Sequence, residues 1–395
     1  MHAQQARLVL GGRMKTGLRA KVMTFMTRAR PAAARFTRRA ALVSALVGRA
    51  PAAPAPAQPW RGFNLQEKFT HTPEEWRKLA PEWGRRNEPF RESDFAFMAE
   101  MGFNFARLPM SYRCWADPAR PREIHERTMQ DIDQAVAYGR QYGVHVCLNF
   151  HRAPGYCINA SNLPEPWDLW SDEKALEICT FHWERFAERY RGVPAAELSF
   201  NLINEPSRCT PAQYAHVVRQ LHQAIRAISP HRTIIVDGLF GEASLPVTEL
   251  AGLSGTIQSA RGYAPFSVSH YLASWAGTPR ARPVWPMPAG GGVLWDRAQL
   301  HRWCIQPFAG LKLPPQQVIV GEWGCWNRTP HSVTLAWMTD YLALWRQQQW
   351  GWALWCLRGS FGVLDSGRAD VKYERWRGHR LDRRMLELLR ENGAR

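Results

Sequence analysis

Eight short apolar runs predict an α/β protein built as a single (β/α)8 TIM barrel over residues 60–395. Helical segments with apolar residues three and four apart separate the runs, which is the pattern of parallel β-α units. The 336 residues of this region suit such a barrel with insertions. An open doubly wound sheet is the main rival. It normally has a Gly-rich loop after its first strand, whereas Arg61–Leu65 contains a single glycine.

The individual elements are predicted from the periods of the apolar residues. The strand candidates are Gly62–Leu65, Phe103–Leu108, Val144–Phe150, Leu198–Ile203, Thr233–Val236, Phe266–His270, Val318–Val320 and Trp352–Cys356. The helix candidates include Thr128–Tyr142, Asp172–Tyr190, Pro211–Ile228 and Ser332–Gln348. Because the carboxyl ends of all eight strands of such a barrel meet at one mouth, we expect catalytic groups there.

The first 59 residues predict an export signal (1–50) followed by a Pro/Ala-rich linker (51–59). A twin-arginine pair, Arg38 and Arg39, precedes a short apolar run over residues 40–48. That run is far shorter than the roughly 20 residues that span a bilayer, so no stable membrane insertion is expected. Ala55-Pro56-Ala57 resembles a cleavage site, and the whole segment resembles a bacterial twin-arginine signal. We therefore expect a periplasmic or extracellular protein; a basic tail on a cytoplasmic protein is the alternative.

The charge of the chain is concentrated in the same segment. The formal net charge is +17, but residues 1–59 contain eleven Lys and Arg and no Asp or Glu, which leaves +6 for the other 336 residues. A nucleic-acid partner is therefore not needed to explain the charge, and none is expected. We also expect the protein to be a monomer. All 19 tryptophans follow residue 59, and tryptophans often line clefts.

The eight cysteines contain no C-x-x-C pair, which excludes zinc-ribbon and thioredoxin-type sites. Cys147 and Cys356 lie in predicted strands and are expected to be buried free thiols. Pairing of Cys157 with another loop cysteine stays open. His and carboxylate residues lack the spacing of metal ligands, so neither a metal nor a cofactor is expected.

Polar side chains follow six of the apolar runs. They are Arg107, His151, Asn204 with Glu205, His270 with Tyr271, Glu322, and the aromatic Trp355. Glycoside hydrolysis needs two carboxyl groups, one protonated and one ionised, and in retaining enzymes they lie roughly 5–5.5 Å apart. Strands four and seven lie across a barrel mouth, so Glu205 and Glu322 are the candidates for this pair.

The other strand-end residues have roles that fit such a pair. Arg107 near Glu322 would favour the charged carboxylate. Asn204 could bind a sugar hydroxyl, His151 could position its neighbours, Tyr271 could donate to the nucleophile, and Trp355 could stack on a sugar ring.

This ordered set resembles glycoside hydrolase family 5, a cellulase-like family of clan A retaining enzymes. Asn204-Glu205-Pro206 and, 117 residues after Glu205, Gly321-Glu322-Trp323-Gly324 carry the resemblance, together with the other strand ends. It implies that Glu205 is the acid/base and Glu322 the nucleophile, with a carbohydrate substrate and no cofactor. The family usually has His-x-Tyr after strand six, whereas this sequence has Ser269-His270-Tyr271, so the role of His270 stays open.

Other functions are compatible with the sequence. One is a non-catalytic carbohydrate-binding barrel, although a pure binder does not need two carboxylates. Another is a family 5 exo-glycosidase acting on short glycosides, glycolipids or furanosides, because loops 152–170 and 272–293 could close one end of a cleft. The lack of metal-ligand clusters and of a strand-end lysine argues against a metal-dependent hydrolase or an aldolase. The sequence does not select the glycan or its linkage.

Overall fold

Eight parallel strands close into a barrel in the computed structural model, which describes residues 58–72, 87–159, 163–241, 244–277 and 281–391. The strands are β1 (Arg61–Asn64), β2 (Phe105–Ser111), β3 (His145–Ala153), β4 (Leu198–Asn201), β5 (Thr233–Asp237), β6 (Thr256–Gly262), β7 (Val318–Trp323) and β8 (Gly351–Leu354). Each strand pairs with the next along the chain, and β8 pairs with β1. The predicted TIM barrel is confirmed.

Helices follow most of the strands. They are α1 (Glu92–Glu100), α2 (Glu126–Tyr142), α3 (Glu173–Arg189), α4 (Pro211–Ile228), α5 (Phe266–Ser269), α6 (Arg297–Leu300), α7 (Gln306–Ala309), α8 (His331–Gln348) and α9 (Arg383–Glu391). A π-helical turn, His301–Ile305, joins α6 to α7. Apart from isolated bridges, the described residues form three antiparallel strand pairs in addition to the parallel barrel: Tyr156–Cys157 with β3, Met287–Pro288 with Leu294–Trp295, and Glu374–Trp376 with His379–Leu381.

Local chemistry explains where several elements begin and end. Thr210 and Gln213 form a capping box at the start of α4, and Pro211 occupies its first turn, where no amide hydrogen is needed. α2 ends at Gly143, whose φ of 65° a glycine adopts without steric cost. Gly62 is required by packing, because a Cβ there would lie 1.7 Å from the carbonyl oxygen of Phe105 on the neighbouring strand.

The sixth strand differs from the prediction. The sequence predicts a strand over Phe266–His270, but Phe266–Ser269 forms α5, and the strand is Thr256–Gly262. Phe266 and Val268 alternate with serines, which mimics the two-residue period of a strand. The true strand has a weak apolar signal because its sequence, TIQSARG, contains polar residues that are buried in the fold.

The barrel interior changes from apolar to polar along the strands. The apolar floor is a buried cluster of Trp60, Phe105, Cys147, Ile235, Ile257, Ile319 and Ala353. Residues two apart on a strand face the same side, so Arg107 stands above Phe105 and Asp237 above Ile235. Charged residues thus lie between an apolar floor and the mouth, where little water screens them.

All eight cysteines lie within the described residues and are free thiols. Cys147 and Cys356 are buried, which confirms that prediction. Among the described residues, no helix has the length and apolar character needed to cross a membrane, and no group of His, Cys, Asp or Glu is arranged to hold a metal ion. The predicted signal and the linker up to residue 57 lie outside the described residues.

Candidate active site

Glu322, near the end of β7, is held by two arginines and a tyrosine. Arg107 Nη1 donates to Glu322 Oε1 at 2.6 Å, and Arg261 Nη2 donates to the same oxygen at 3.4 Å. The Tyr263 hydroxyl donates to Oε2 at 3.3 Å. Glu322 is only 3 % exposed, so two positive charges act on its carboxylate with little screening by water.

Glu205 follows β4 in the left-handed backbone region, with φ of 45°. A non-glycine residue held there stores about 1–3 kcal/mol of strain, and such strain concentrates at functional sites. The Glu205 amide donates to Asp237 Oδ2 at 3.0 Å, and its carbonyl accepts from the Tyr156 hydroxyl at 2.6 Å. These two contacts, from β5 and from the loop after β3, hold the strained backbone in place.

The carboxyl group of Glu205 lies in a different electrostatic environment from that of Glu322. Burial and the neighbouring Glu322 carboxylate raise the pKa of Glu205 to about 7, although Arg261, whose Nε donates to Glu205 Oε1 at 3.0 Å, acts in the opposite direction. One carboxyl group is thus prepared to carry a proton near neutral pH, while the other is held by two arginines. That is the asymmetry an acid and a nucleophile require.

Arg261, in β6, lies between the two carboxylates. Besides Glu205 and Glu322, its guanidinium donates to Asn204 Oδ1 at 3.0 Å and to Asp237 Oδ2. Burial would lower the pKa of Arg261, but the surrounding carboxylates, Asp237 foremost, raise it above its ordinary value. Arg261 is therefore a permanent cation.

Asp237, at the end of β5, is the anionic partner of Arg261 and is 1 % exposed. Its Oδ1 accepts from Asn201 Nδ2 at 3.0 Å, and its Oδ2 accepts from the Glu205 amide. Burial would raise the pKa of Asp237, but Arg261 and Arg107 outweigh burial and lower it below its ordinary value. Asp237 is therefore ionised near neutral pH.

Two buried side chains beside the carboxylates, Asn204 and His151, have nitrogen atoms without a hydrogen-bond partner among the described residues. Asn204 Oδ1 accepts from Arg107 Nη2 at 2.7 Å as well as from Arg261, while its Nδ2 donates to none of the described residues. Neither ring nitrogen of His151 has such a partner. Burial, then the charges of Arg107, Arg261 and Arg152, lower the pKa of His151 well below its ordinary value, so the ring is neutral. Unpaired buried groups of this kind are available to a polar ligand.

Both carboxylates open into a cavity of about 270 Å³. Its other lining residues are Phe69, His151, Ile158, Asn159, Phe240, Tyr263, Phe266, His270, Trp275, Ala276, Trp355 and Phe361. Aromatic rings thus dominate its walls, and such flat apolar faces suit the faces of sugar rings. The charged and hydrogen-bonding groups converge on Glu205 and Glu322.

The glycosyl hydrolase family 5 cellulase model matches residues 57–287, more than half of the chain. The chain belongs to glycosyl hydrolase family 5. It is an O-glycosyl hydrolase, and its relatives agree with this. Endoglucanase C of Acetivibrio thermocellus is 24% identical over 307 residues, which cover 72% of this chain and 88% of that protein. Glucan 1,3-beta-glucosidase of Blumeria graminis is 30% identical over 118 residues, covering 29% of this chain and 27% of that protein.

Solved structures share the fold of this family 5 enzyme. A crystal structure described as a glycoside hydrolase has a TM-score of 0.76 and 36% sequence identity, covering 85% of this chain and 100% of that chain. Thermotoga maritima Cel5A in complex with mannotriose has a TM-score of 0.64 and covers 84% of this chain and 97% of that chain. Its 21% identity supports likeness of fold alone.

The structure brings most of the predicted site residues together. Glu205, Glu322, His151, His270 and Trp355 line the cavity, and Arg107 and Asn204 lie directly behind the carboxylates. Burial lowers the pKa of His270 to about 3, so this ring is neutral.

Tyr271 is the exception, since it is not among the residues that line the cavity. It follows α5 rather than strand six, and the tyrosine that reaches Glu322 is Tyr263. The His-x-Tyr that the family resemblance leads us to expect after strand six is thus matched in its tyrosine by Tyr263, and the residue two before it is Arg261.

Sequence reasoning missed Arg261, Tyr263 and Asp237. Asp237 comes directly after the predicted strand Thr233–Val236, so it satisfied the same rule that selected Glu205 and Glu322. The two-residue spacing of Arg261 and Tyr263 was also present, but it follows a strand whose apolar signal is weak.

Proposed function

We propose that this enzyme hydrolyses β-linked glucans or gluco-oligosaccharides with retention of anomeric configuration, using Glu205 as acid/base and Glu322 as nucleophile. The observation that carries the proposal is the contrast between the two carboxyl groups of one cavity. Burial and Glu322 raise the pKa of Glu205 to about 7, whereas Glu322 accepts from two arginines. A retaining glycosidase needs this division of roles.

In the first step, a Glu322 oxygen attacks the anomeric carbon. The bond from that carbon to the leaving oxygen breaks, its electron pair stays with the leaving oxygen, and that oxygen takes the proton of Glu205. Tyr263, which donates to Glu322 Oε2, orients the nucleophile, and Arg107 holds its other oxygen. The unpaired Asn204 Nδ2 is available to a sugar hydroxyl beside the reacting carbon.

In the second step, water attacks the anomeric carbon of the glycosyl-enzyme. Glu205, now ionised, takes a proton from the water, and the electron pair of the ester bond returns to Glu322. Two displacements, each with inversion, give net retention. No cofactor takes part in this scheme.

The names of relatives support a glucan substrate. Endoglucanase C and glucan 1,3-beta-glucosidase both carry glucan-cleaving names, with different modes of attack. Asn159, from the loop after β3, and Trp275, from the segment after β6, line the cavity. Walls from these two long loops favour short oligosaccharides or chain ends over the middle of a long chain, which makes exo-action the second candidate.

The residue roles are tested with Glu205→Ala, Glu322→Gln and the matched control Glu177→Gln, which changes an exposed glutamate on α3. Glu205→Ala should lose about 10²–10⁴-fold on natural glucans, but much less on an activated aryl β-glucoside whose leaving group needs no proton. Azide should accelerate that residual activity, because it attacks without base assistance. Glu322→Gln should be inactive on both substrates. Near-normal turnover by Glu322→Gln would show that the nucleophile is assigned wrongly.

The stereochemistry and the substrate are tested on the wild-type enzyme. Proton NMR should show the β-anomer as the first product before mutarotation, and initial release of the α-anomer from a β-glycoside would contradict the proposed mechanism. A panel of β-glucans, mannans and xylans, read by product size, separates endo-action from exo-action. Binding of these glycans without turnover would support a carbohydrate-binding barrel instead.

The enzyme is further proposed to leave the cytoplasm by the twin-arginine route and to act as a monomer without a nucleic-acid partner. The basis is Arg38 and Arg39 before a short apolar run, and the low net charge of residues 60–395. Fractionation of a bacterium that expresses the full chain should find the enzyme outside the cytoplasm. Changing both arginines to lysine should retain it inside, and unchanged export of that variant would refute the route.

A further inference from the structure

The carboxylates of the site belong to a buried cluster of five permanently or potentially charged side chains. Its members are Arg107, Arg261, Asp237, Glu205 and Glu322. The side chains of four are at most 4 % exposed, and that of Glu205 is 12 % exposed. Unbalanced charge in such a place is costly, because solvent cannot compensate for it.

The cluster contains two cations and up to three anions, so it is neutral only when one carboxyl group is uncharged. In the resting enzyme, a proton on Glu205 leaves Asp237 and Glu322 against the two arginines. In the glycosyl-enzyme, Glu322 is an uncharged ester, and ionised Glu205 joins Asp237 against the same two arginines. Both states that double displacement requires are therefore the neutral ones.

We propose that Arg261 and Asp237 form a charge-balancing pair, in which Arg261 holds the carboxyl group of Glu205 and Asp237 cancels the charge that Arg261 adds, so that Glu205 can act first as acid and then as base. This inference rests on the proposed function and adds two positioning residues to it. Arg261 lies two residues before the tyrosine that reaches Glu322, where the family resemblance leads us to expect histidine. An arginine there adds a permanent positive charge, and Asp237 supplies the matching negative one through Arg261 Nη2.

The same pair also controls where Glu205 lies. Asp237 Oδ2 accepts from the Glu205 amide, and Arg261 Nε donates to Glu205 Oε1, so backbone and carboxyl group are held by partners that are bound to each other. Removal of either partner therefore changes both the charge balance and the position of the acid.

Glu205 faces charged and neutral groups. The charged ones are Asp237 from β5, Arg261 from β6 and Glu322 from β7, and Arg107 from β2 contacts both Asp237 and Glu322. The titratable groups outside the charged cluster are His151 from β3, Tyr156 after β3, and Tyr263 and His270 after β6. Burial lowers the pKa of both histidines and raises the pKa of both tyrosines, so these four stay neutral near pH 7. The protonation of Glu205 is therefore set by the charged cluster.

The test is the pH profile of kcat/KM for Arg261→Gln, Asp237→Asn and the double variant, with Arg261→Lys as the control that keeps the cation. The basic limb reports loss of the proton from the acid in the free enzyme. Loss of the cation should move this limb up by about 1–3 pH units, because an opposite charge in contact lowers the pKa of a carboxyl group by that amount. Asp237→Asn should move it down, and the double variant should return it towards the wild type.

A second readout follows the glycosyl-enzyme. Arg261→Gln removes the cation that contacts the carboxylate of Glu205, so ionisation of Glu205 becomes less favourable. The second step needs the ionised form and should therefore slow more than the first. With an activated aryl glycoside this should appear as a burst of aryl alcohol followed by slow turnover, and azide should raise the slow rate although Glu205 is intact. A merely structural role would lower kcat at every pH without moving the limb or creating the burst.

Each result decides for or against the proposal. A basic limb of Arg261→Gln that coincides with the wild type would overturn it, as would a double variant no closer to the wild type than Arg261→Gln. If Arg261→Gln does not fold, the nearly isosteric Asp237→Asn tests the charge balance by itself. A basic limb of the Asp237→Asn profile that is unmoved, or that lies at higher pH, would then refute the proposal. Wild-type enzyme without glycosidase activity would instead refute the proposed function.

Discussion

Replacing Arg358 by methionine is expected to destabilise the barrel strongly, because this arginine ties its closing strand to its first helix. Arg358 follows β8 and is 5 % exposed. Its Nε and Nη2 donate to the two carboxylate oxygens of Asp94 on α1 at 2.8 and 2.6 Å. Nη2 also donates to Glu67, after β1, at 2.7 Å. Methionine fills similar space but removes the guanidinium that both buried carboxylates contact.

The expected loss follows from this arrangement. Removing one partner of a buried ion pair costs about 3–5 kcal/mol, since little water is present to solvate the charge left behind. With an unfolding entropy of about 2.1 cal/mol/K per residue, that corresponds to a fall in Tm of roughly 4–7 °C for the 336 residues of the barrel region. The measurement is thermal unfolding followed by far-ultraviolet circular dichroism. The control is Arg120→Met, which breaks an exposed pair with Glu123 and should cost no more than about 1 kcal/mol.

The same change should affect activity. Glu67 lies two residues before Phe69, and Arg358 three residues after Trp355, and these two aromatic residues line the cavity. Loosening both segments should raise KM more than it lowers kcat, because the carboxylates on β7 and after β4 are held by other contacts.

The reasoning would be refuted by a Tm of Arg358→Met within about 1 °C of the wild type, which corresponds to less than ~1 kcal/mol. A triple variant that also carries Asp94→Asn and Glu67→Gln should recover part of the lost stability, because the two carboxylates that contacted the guanidinium are then neutral amides. A triple variant less stable than Arg358→Met would show that hydrogen bonding, rather than charge, dominates at this position.

Three further predictions concern the active site. Gly321→Ala should lower kcat, since a Cβ there would lie 2.5 Å from Ser259 Oγ and 3.0 Å from Arg261 Nη1 and would displace both side chains. Tyr263→Phe should lower kcat at similar KM, because the hydroxyl donates to Glu322, the proposed nucleophile, whereas Tyr271→Phe should keep wild-type kinetics. Trp275→Ala should raise KM for oligosaccharides more than for an aryl glucoside, since its ring lines the cavity wall.

Steady-state kinetics on each purified variant test these expectations. Wild-type kcat in Gly321→Ala would mean that Arg261 tolerates displacement. A larger fall in kcat in Tyr271→Phe than in Tyr263→Phe would show that Tyr271, rather than Tyr263, assists Glu322. An equal rise of KM on both substrates in Trp275→Ala would show that this ring contacts only the sugar nearest the carboxylates.

Most strands and the two glutamates could be predicted because buried strands consist of continuous runs of apolar residues. Strands such as Val318–Trp323 are buried throughout, so their apolar runs stand out, and Glu322 interrupts an otherwise apolar stretch. The sixth strand was not predictable in this way. Gln258, Ser259 and Arg261 are buried there through hydrogen bonds, which an apolar period does not reveal.

Contacts between segments that are distant along the chain could not be predicted from the sequence, for a different reason. The φ of 45° at Glu205 depends on Asp237 and Tyr156, which lie 32 and 49 residues away along the chain. Similarly, Arg107 and Arg261 both donate to the side-chain oxygen of Asn204, and this fixes the orientation in which its side-chain nitrogen has no partner among the described residues. Such features arise when strand ends converge, so a pattern within one strand cannot predict them.

Arg261 fits its position because several neighbours accommodate it. Gly321 lacks the Cβ that would approach its Nη1, Ser259 Oγ accepts from that nitrogen at 3.0 Å, and Ser244 Oγ accepts from its backbone amide at 3.0 Å. Asp237 then neutralises its charge. A shorter, neutral histidine would use neither the space beside Gly321 nor the carboxylate of Asp237. The arginine and its surroundings therefore form one unit, and Glu205, the proposed acid/base, should depend on that unit as a whole.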